Sequence, residues 1–219
     1  MIDLSVLNVT PLLHMPAHQH SAAAGTLRGG DPLRFVRIIL LLLFAAWVWY
    51  YIREPSTILH GSILIFHEAG HVIFQPFGEF MMVLGGSLFQ LMVPAFLIGY
   101  FVWRRDFYAA CFAALYLAAS LDNLARYIAD ARAGELPLLG GERSNHDWTY
   151  LLIELKRLNS DTAIGHFVHN CAVSVLWLSG LSGLWFAWHG NPERETEATP
   201  APVGPPRNSN VITSNWKES

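Results

Sequence analysis

Charged residues are scarce in this sequence. Asp, Glu, Lys and Arg make up 14% of the 219 residues, whereas about 25% is usual for a soluble domain. Hydrophobic residues make up 53%, more than the usual share of about 45–50%. This combination predicts a protein that is surrounded largely by lipid.

The sequence also lacks basic patches, a cysteine framework and a signal peptide. The formal net charge is −3, and the Lys and Arg residues form no basic stripe, which argues against a nucleic-acid partner. The two cysteines, Cys111 and Cys171, lie in apolar stretches, where a thiol usually behaves as a small buried hydrophobe. The first thirty residues contain no basic segment followed by an apolar core and a cleavage site, so no removable signal peptide is predicted.

Long apolar runs are what the sequence does contain. A helix rises about 1.5 Å per residue, so a run of about 20 residues crosses a hydrocarbon core of about 30 Å. Five runs approach this length, at residues 35–52, 58–77, 80–103, 107–128 and 163–188. The expected fold is therefore all-α, a polytopic membrane helix bundle of about five transmembrane helices.

Polar segments flank and interrupt these runs. Residues 1–30 and 190–219 are predicted to be flexible tails. Residues 31–189 form the predicted membrane domain, with an interfacial segment at about 130–160 that contains a short amphipathic helix. With five spans, a cytoplasmic N-terminus is favoured by a small excess of basic residues on that side.

The second apolar run contains the motif His67-Glu68-Ala69-Gly70-His71. Residues four apart lie on one helix face, so the two histidines can bind one metal ion while Glu68 handles a proton. In soluble zincins the same motif supplies two zinc ligands and a general base. Charged residues inside a membrane helix cost about 2.5–3.5 kcal/mol each and usually face an interior site. We therefore predict a Zn²⁺ site near mid-membrane depth, the alternative being a polar packing cluster.

A catalytic zinc ion normally has a third protein ligand besides water. The leading candidate is Asp122, late in the fourth apolar run. The alternative for this carboxylate is an ion pair with Arg126, one helical turn later. Either arrangement satisfies a buried carboxylate.

Five further polar residues form a possible additional site. His146 and Asp147 open the amphipathic segment, where Asp147 also fits the first-turn acidic residue that the helix dipole favours. His166, His169 and Asn170 share one face of the fifth run, which suggests a polar cavity. The alternative for each of these residues is a structural role.

The motif and its surroundings resemble the site-two protease family of intramembrane zinc metalloproteases. In that family HExxH lies on one core helix, and an Asp in a Leu-Asp-Gly motif two helices later completes the zinc site. The matching residues here are the HEAGH motif at 67–71 and Leu121-Asp122, with Asn123 in place of the family's glycine. The resemblance covers roughly residues 58–127. It implies a zinc-dependent hydrolase that cleaves a peptide bond in or near a transmembrane segment of a membrane-protein substrate.

Two other functions remain compatible with these residues. A non-catalytic membrane subunit or metal-handling protein would keep a vestigial HExxH motif. A membrane di-iron oxygenase would share two iron ions among carboxylates and five histidines, namely His67, His71, His146, His166 and His169. Two irons per chain would favour the oxygenase and one zinc would exclude it, whereas a purified protein that binds no metal would support the non-catalytic subunit.

Overall fold

A computed structural model describes residues 33–54, 58–136 and 146–190. All regular secondary structure in these ranges is helical, which confirms the all-α class expected from the sequence. The predicted tail at residues 1–30, the predicted tail at 190–219 apart from Gly190, and loop residues 137–145 lie outside the described residues.

Six α-helices and two short 3-10 helices build the described chain. The α-helices are α1 (Leu33–Arg53), α2 (Ile58–Phe74), α3 (Glu79–Trp103), α4 (Phe107–Ala129), α5 (Asp147–Glu154) and α6 (Asp161–His189). The 3-10 helices are Gln75–Phe77 and Leu158–Ser160.

Helix α2 is shorter than the apolar run that predicted it. The α-helix ends at Phe74, and Pro76 lies in the 3-10 helix that follows, because proline has no backbone N–H to continue the ladder of helical hydrogen bonds. Gly78 then adopts a φ of 95° and leads the chain into α3. Such a positive φ is readily available to glycine.

Four helices are long and apolar enough to cross a membrane, namely α1, α3, α4 and α6 with its preceding 3-10 helix. At 17 residues, α2 extends only about 25 Å. The structure therefore supports a membrane helix bundle and refines the expected count of about five spans to four long helices and the shorter α2. The outer surfaces of the long helices carry large apolar side chains, including Leu43, Phe96, Trp103 and Phe167, as expected for contact with lipid.

The contacts between the four long helices establish their directions. Helix α1 runs parallel to α4, since the Tyr108 hydroxyl donates a hydrogen bond to the Arg37 carbonyl near their starts and Ile52 accepts a hydrogen bond from Arg126 near their ends. Helix α3 turns back into α4 through residues 104–106. Helix α6 runs antiparallel to α4, because its Gly165 approaches Ala125 and its Gly183 approaches Cys111. We call the end where α1 and α4 finish and α3 and α6 begin the α5 end, because α5 docks there.

Helix α2 does not cross the bundle from one end to the other. Four residues separate its start from the end of α1, and a short turn leads from its end into the start of α3. The end of α1 and the start of α3 both lie at the α5 end. At its start, His60 approaches Tyr51 of α1 and Asn123 of α4. Helix α2 is antiparallel to α3, since Phe66 packs on Phe89 and His71 Nδ1 lies beside the Met82 carbonyl, so it runs in the same direction as α4. Because it does not reach from one end of the bundle to the other, the expected count of about five spans is approximate.

Candidate metal centre

The two motif histidines lie on the face of α2 that packs against α3. The side chain of His67 is buried and that of His71 partly buried, and their ring centroids are 4.8 Å apart. Between them, Gly70 packs directly on the backbone of Gly85 and Gly86, so that a Cβ on Gly70 would overlap the Gly85 carbonyl oxygen. The small residues let α2 and α3 approach closely at the level of the motif.

Gly86 provides the space that the imidazole rings occupy. A Cβ at this position would lie 2.7 Å from the Nε2 atoms of both His67 and His71. The backbone of α3 therefore passes directly beside the two nitrogen atoms that could bind a metal.

Hydrogen bonds to Nδ1 determine the tautomers of both histidines. His67 Nδ1 lies 2.9 Å from Gln90 Oε1, while the Gln90 amide nitrogen donates to the Ser120 carbonyl at 3.1 Å. His71 Nδ1 lies 2.9 Å from the carbonyl oxygen of Met82. Because carbonyl oxygens only accept, both Nδ1 atoms donate, so it is Nε2 of each ring that can give a lone pair to a metal ion once its proton is lost.

Asp147 places a carboxylate oxygen between these two Nε2 atoms. Its Oδ2 lies 3.0 Å from His67 Nε2 and 3.2 Å from His71 Nε2. The three ligand atoms all lie within 4.8 Å of one another. Two ligands bound to tetrahedral zinc at about 2.0–2.1 Å are themselves about 3.3 Å apart, so this spacing fits one metal ion.

The charge of the group also fits a cation. Burial raises the pKa of Asp147, but its hydrogen bonds and charge interactions with His67 and His71 outweigh burial and lower the pKa to about 2. An anionic oxygen and two imidazole lone pairs repel one another unless protons or a metal ion lie between them. The residues present therefore match the donor set that a divalent metal ion requires.

Asp122 lies in a separate cluster. Its fully buried carboxylate accepts hydrogen bonds from Arg126 Nε at 2.9 Å and from His169 Nδ1 at 2.7 Å. The ion-pair alternative thus describes its position, and the carboxylate beside His67 and His71 is that of Asp147. The structure thus places Asp122, the leading candidate for third ligand, away from the two motif histidines and brings Asp147 beside them instead.

Glu68 is exposed on α2 next to the histidine pair. It lies within electrostatic range of His71 and of Tyr127. Its carboxylate therefore acts electrostatically on the candidate metal centre and is not buried by the protein, which leaves it free to exchange a proton.

The other polar residues predicted for the site do not join the three ligands. His146 is buried against the Tyr127 ring at 4.3 Å, and its Nε2 lies 3.4 Å from Asp130 Oδ2. Burial lowers the pKa of His146, although Asp130 opposes this effect. His166 and Asn170 are exposed on α6. The cavity expected from the α6 polar face is therefore not formed as predicted, because only His169 of this group points to a buried partner, Asp122.

Sequence reasoning missed several residues that support the ligands. Gln90 was visible as an amide in the middle of an apolar run, and such a side chain needs a partner in a membrane helix. The Met82 carbonyl gave no comparable signal, because its contact with His71 depends on how two helices meet.

No protein-family model, curated protein or solved structure matches this chain. Among the described residues, one group of three His, Cys, Asp or Glu side chains is spaced to hold a metal ion, and it consists of His67, His71 and Asp147.

Proposed function

We propose that this chain is a membrane-embedded, zinc-dependent metallopeptidase with His67, His71 and Asp147 as ligands and Glu68 as general base. The observation that carries the proposal is the convergence of two imidazole Nε2 atoms and one carboxylate oxygen beside an accessible glutamate. Two histidines and one carboxylate form a known ligand set of catalytic zinc, with a further position open to water or substrate.

The roles of the residues follow from their chemistry. When bound, zinc would polarise a substrate carbonyl and lower the pKa of a coordinated water to about 7. Glu68 accepts a proton from the attacking water and returns it to the leaving amine. Gln90 and the Met82 carbonyl hold the His67 and His71 rings in the tautomer that leaves Nε2 unprotonated.

The surroundings favour a substrate within the membrane. The site lies in a bundle with four helices that are able to span a bilayer. On the outer face of α2, the exposed apolar side chains Ile65 and Val72 flank Glu68. A lipid-embedded protein segment fits this environment better than a soluble peptide, so a membrane protein is the proposed substrate.

The structure offers less support for the two alternative functions. The five histidines of a di-iron centre do not converge, since His146 and His169 face other carboxylates and His166 is exposed. A non-catalytic metal-handling protein shares the same three ligands. It differs from the proposed peptidase in having no need for Glu68.

The metal assignment is tested by the metal content of detergent-purified protein. We expect about one zinc per chain, lost in His71→Ala and in Asp147→Asn but retained in Asp122→Asn. Asp122→Asn is the matched control, because it removes a buried carboxylate charge outside the three-ligand group. Loss of zinc in Asp122→Asn with retention in Asp147→Asn would reverse the assignment of the third ligand.

The catalytic assignment is tested with Glu68→Gln. This change preserves side-chain size but removes the base, so the variant should keep zinc and lose at least about a hundredfold in cleavage rate. The assay uses a panel of single-span membrane proteins co-reconstituted in liposomes, and Glu79→Gln on α3 is the control for a lost surface carboxylate. Wild-type protein that holds zinc and cleaves none of the panel favours the metal-handling function, and cleavage by Glu68→Gln shows that the base is assigned wrongly.

A further inference from the structure

Helix α5 supplies the third ligand from outside the four long helices. It has eight residues, and Asp147 is its first residue. Leu151 and Leu152 bury their side chains and hold the middle of the helix against the bundle. These apolar contacts alone do not specify where the carboxylate at the start of the helix lies.

Three consecutive residues tie the start of α5 to the bundle by hydrogen bonds. The backbone N–H of Asp147 donates to the Tyr127 hydroxyl at 3.1 Å. The indole Nε1–H of Trp148 donates to Ser87 Oγ at 3.0 Å, and the Thr149 hydroxyl donates to the Ala131 carbonyl. Two of these bonds reach α4 or the turn that follows it, whereas the Trp148 bond reaches α3.

The α3 end of the Trp148 bond lies next to the candidate metal centre. Ser87 is buried and directly follows Gly86, whose backbone borders the His67 and His71 nitrogen atoms. Trp148 thus bonds to the residue that follows Gly86, and the preceding residue, Asp147, contacts the two histidine rings that Gly86 borders. A displacement of α5 away from α3 would lengthen the Trp148–Ser87 bond and, at the same time, move the Asp147 carboxylate away from His67 and His71.

We propose that Trp148 is a positioning residue, which holds Asp147 in the ligand group through its hydrogen bond to Ser87. This inference rests on the metal centre of the proposed function and adds a residue that touches no metal itself. Partners of metal ligands outside the coordination sphere typically contribute about 10–100-fold to metal affinity.

The experiment compares full-length protein in detergent with Trp148→Phe, Ser87→Ala and the double variant. Trp148→Phe keeps an aromatic ring and removes the N–H, while Ser87→Ala keeps the indole and removes its acceptor. We expect each single variant to bind zinc about tenfold more weakly. The double variant should be no weaker than either single one, because both remove the same interaction. Trp103→Phe, at the exposed end of α3, is the matched control and should keep wild-type affinity.

A spectroscopic measurement separates positioning from general stabilisation. With cobalt at saturation, the visible ligand-field bands of Trp148→Phe and Ser87→Ala should shift away from those of the wild type, because the carboxylate is displaced. Wild-type bands and affinity in both variants would overturn the positioning role while leaving the metal centre intact. Wild-type protein that binds neither zinc nor cobalt would overturn the metal centre and the positioning role with it.

Discussion

At the residue scale, the candidate metal centre depends on the missing side chain of Gly86 as much as on its ligands. Gly86 carries no side chain at the point where α3 meets the two imidazole rings. The rings cannot simply rotate away from an added atom, because Gln90 and the Met82 carbonyl hold their Nδ1 atoms. A methyl group here would have to displace either the rings or the helix.

We therefore predict that Gly86→Ala weakens zinc binding at least about tenfold, because the added Cβ forces both rings off their hydrogen bonds. The control is Gly99→Ala on the same helix, where an added Cβ meets no atom within 4 Å. Alanine should stabilise that exposed helical position by up to about 1 kcal/mol. The measurement is zinc affinity by competition with a chromophoric chelator, alongside thermal unfolding. Equal zinc affinity in Gly86→Ala and wild type would contradict the close approach of α3.

The sequence predicts part of this site because part of it is local. The four-residue spacing of His67 and His71 is a property of any helix, and the structure places both rings together. The third ligand is not local. Asp122 has its cation Arg126 one turn away, whereas Asp147 reaches the histidines only because a separate helix docks on α3 and α4. The docking of α5 cannot be predicted from the spacing of residues along the sequence.

At the element scale, the packing of α2 on α3 sets the position of the motif. Gly70 and Gly85 bring the two backbones into contact, and Phe74 packs over Gly85. This explains the glycine pair in the third apolar run as a helix-packing feature.

We predict that Gly70→Ala destabilises the protein by about 1–3 kcal/mol, the usual range for overpacking a buried contact. The overlap is with backbone atoms of α3, which cannot move like a flexible side chain. Gly61→Ala is the matched control on α2, since its Cβ would meet nothing within 4 Å. Reversible unfolding in mixed detergent micelles measures both variants. A Gly70→Ala protein as stable as Gly61→Ala would contradict the backbone contact.

The sequence predicted the boundaries of the helices better than it predicted which of them cross the bundle. The apolar run at 58–77 indicated a helix, and α2 occupies most of it. Whether such a helix crosses a bilayer depends also on the positions of its neighbours. Because α1 ends and α3 begins at the same end of the bundle, α2 cannot lead from one end to the other, and hydropathy alone does not contain this information.

At the scale of the whole molecule, the helix directions predict a four-span topology. With α1 and α4 parallel and α3 and α6 antiparallel to them, the two ends of the described membrane domain meet at one end of the bundle. The contact of Phe35 with Trp188 shows this directly. A five-span topology would separate these residues by the thickness of the membrane.

Three positions distinguish the two topologies by labelling in sealed membrane vesicles. Single cysteines at Glu54, Arg104 and Glu135 are introduced in a background with Cys111→Ala and Cys171→Ala, and a membrane-impermeant maleimide is added before and after detergent. Four spans predict that Glu54→Cys and Glu135→Cys react from the same side and Arg104→Cys from the other, because the first two positions lie at the α5 end. With α2 as a fifth span, Glu54→Cys would share its side with Arg104→Cys instead. That second result would mean that α2 crosses the bilayer, and it would place the HExxH motif midway through the membrane.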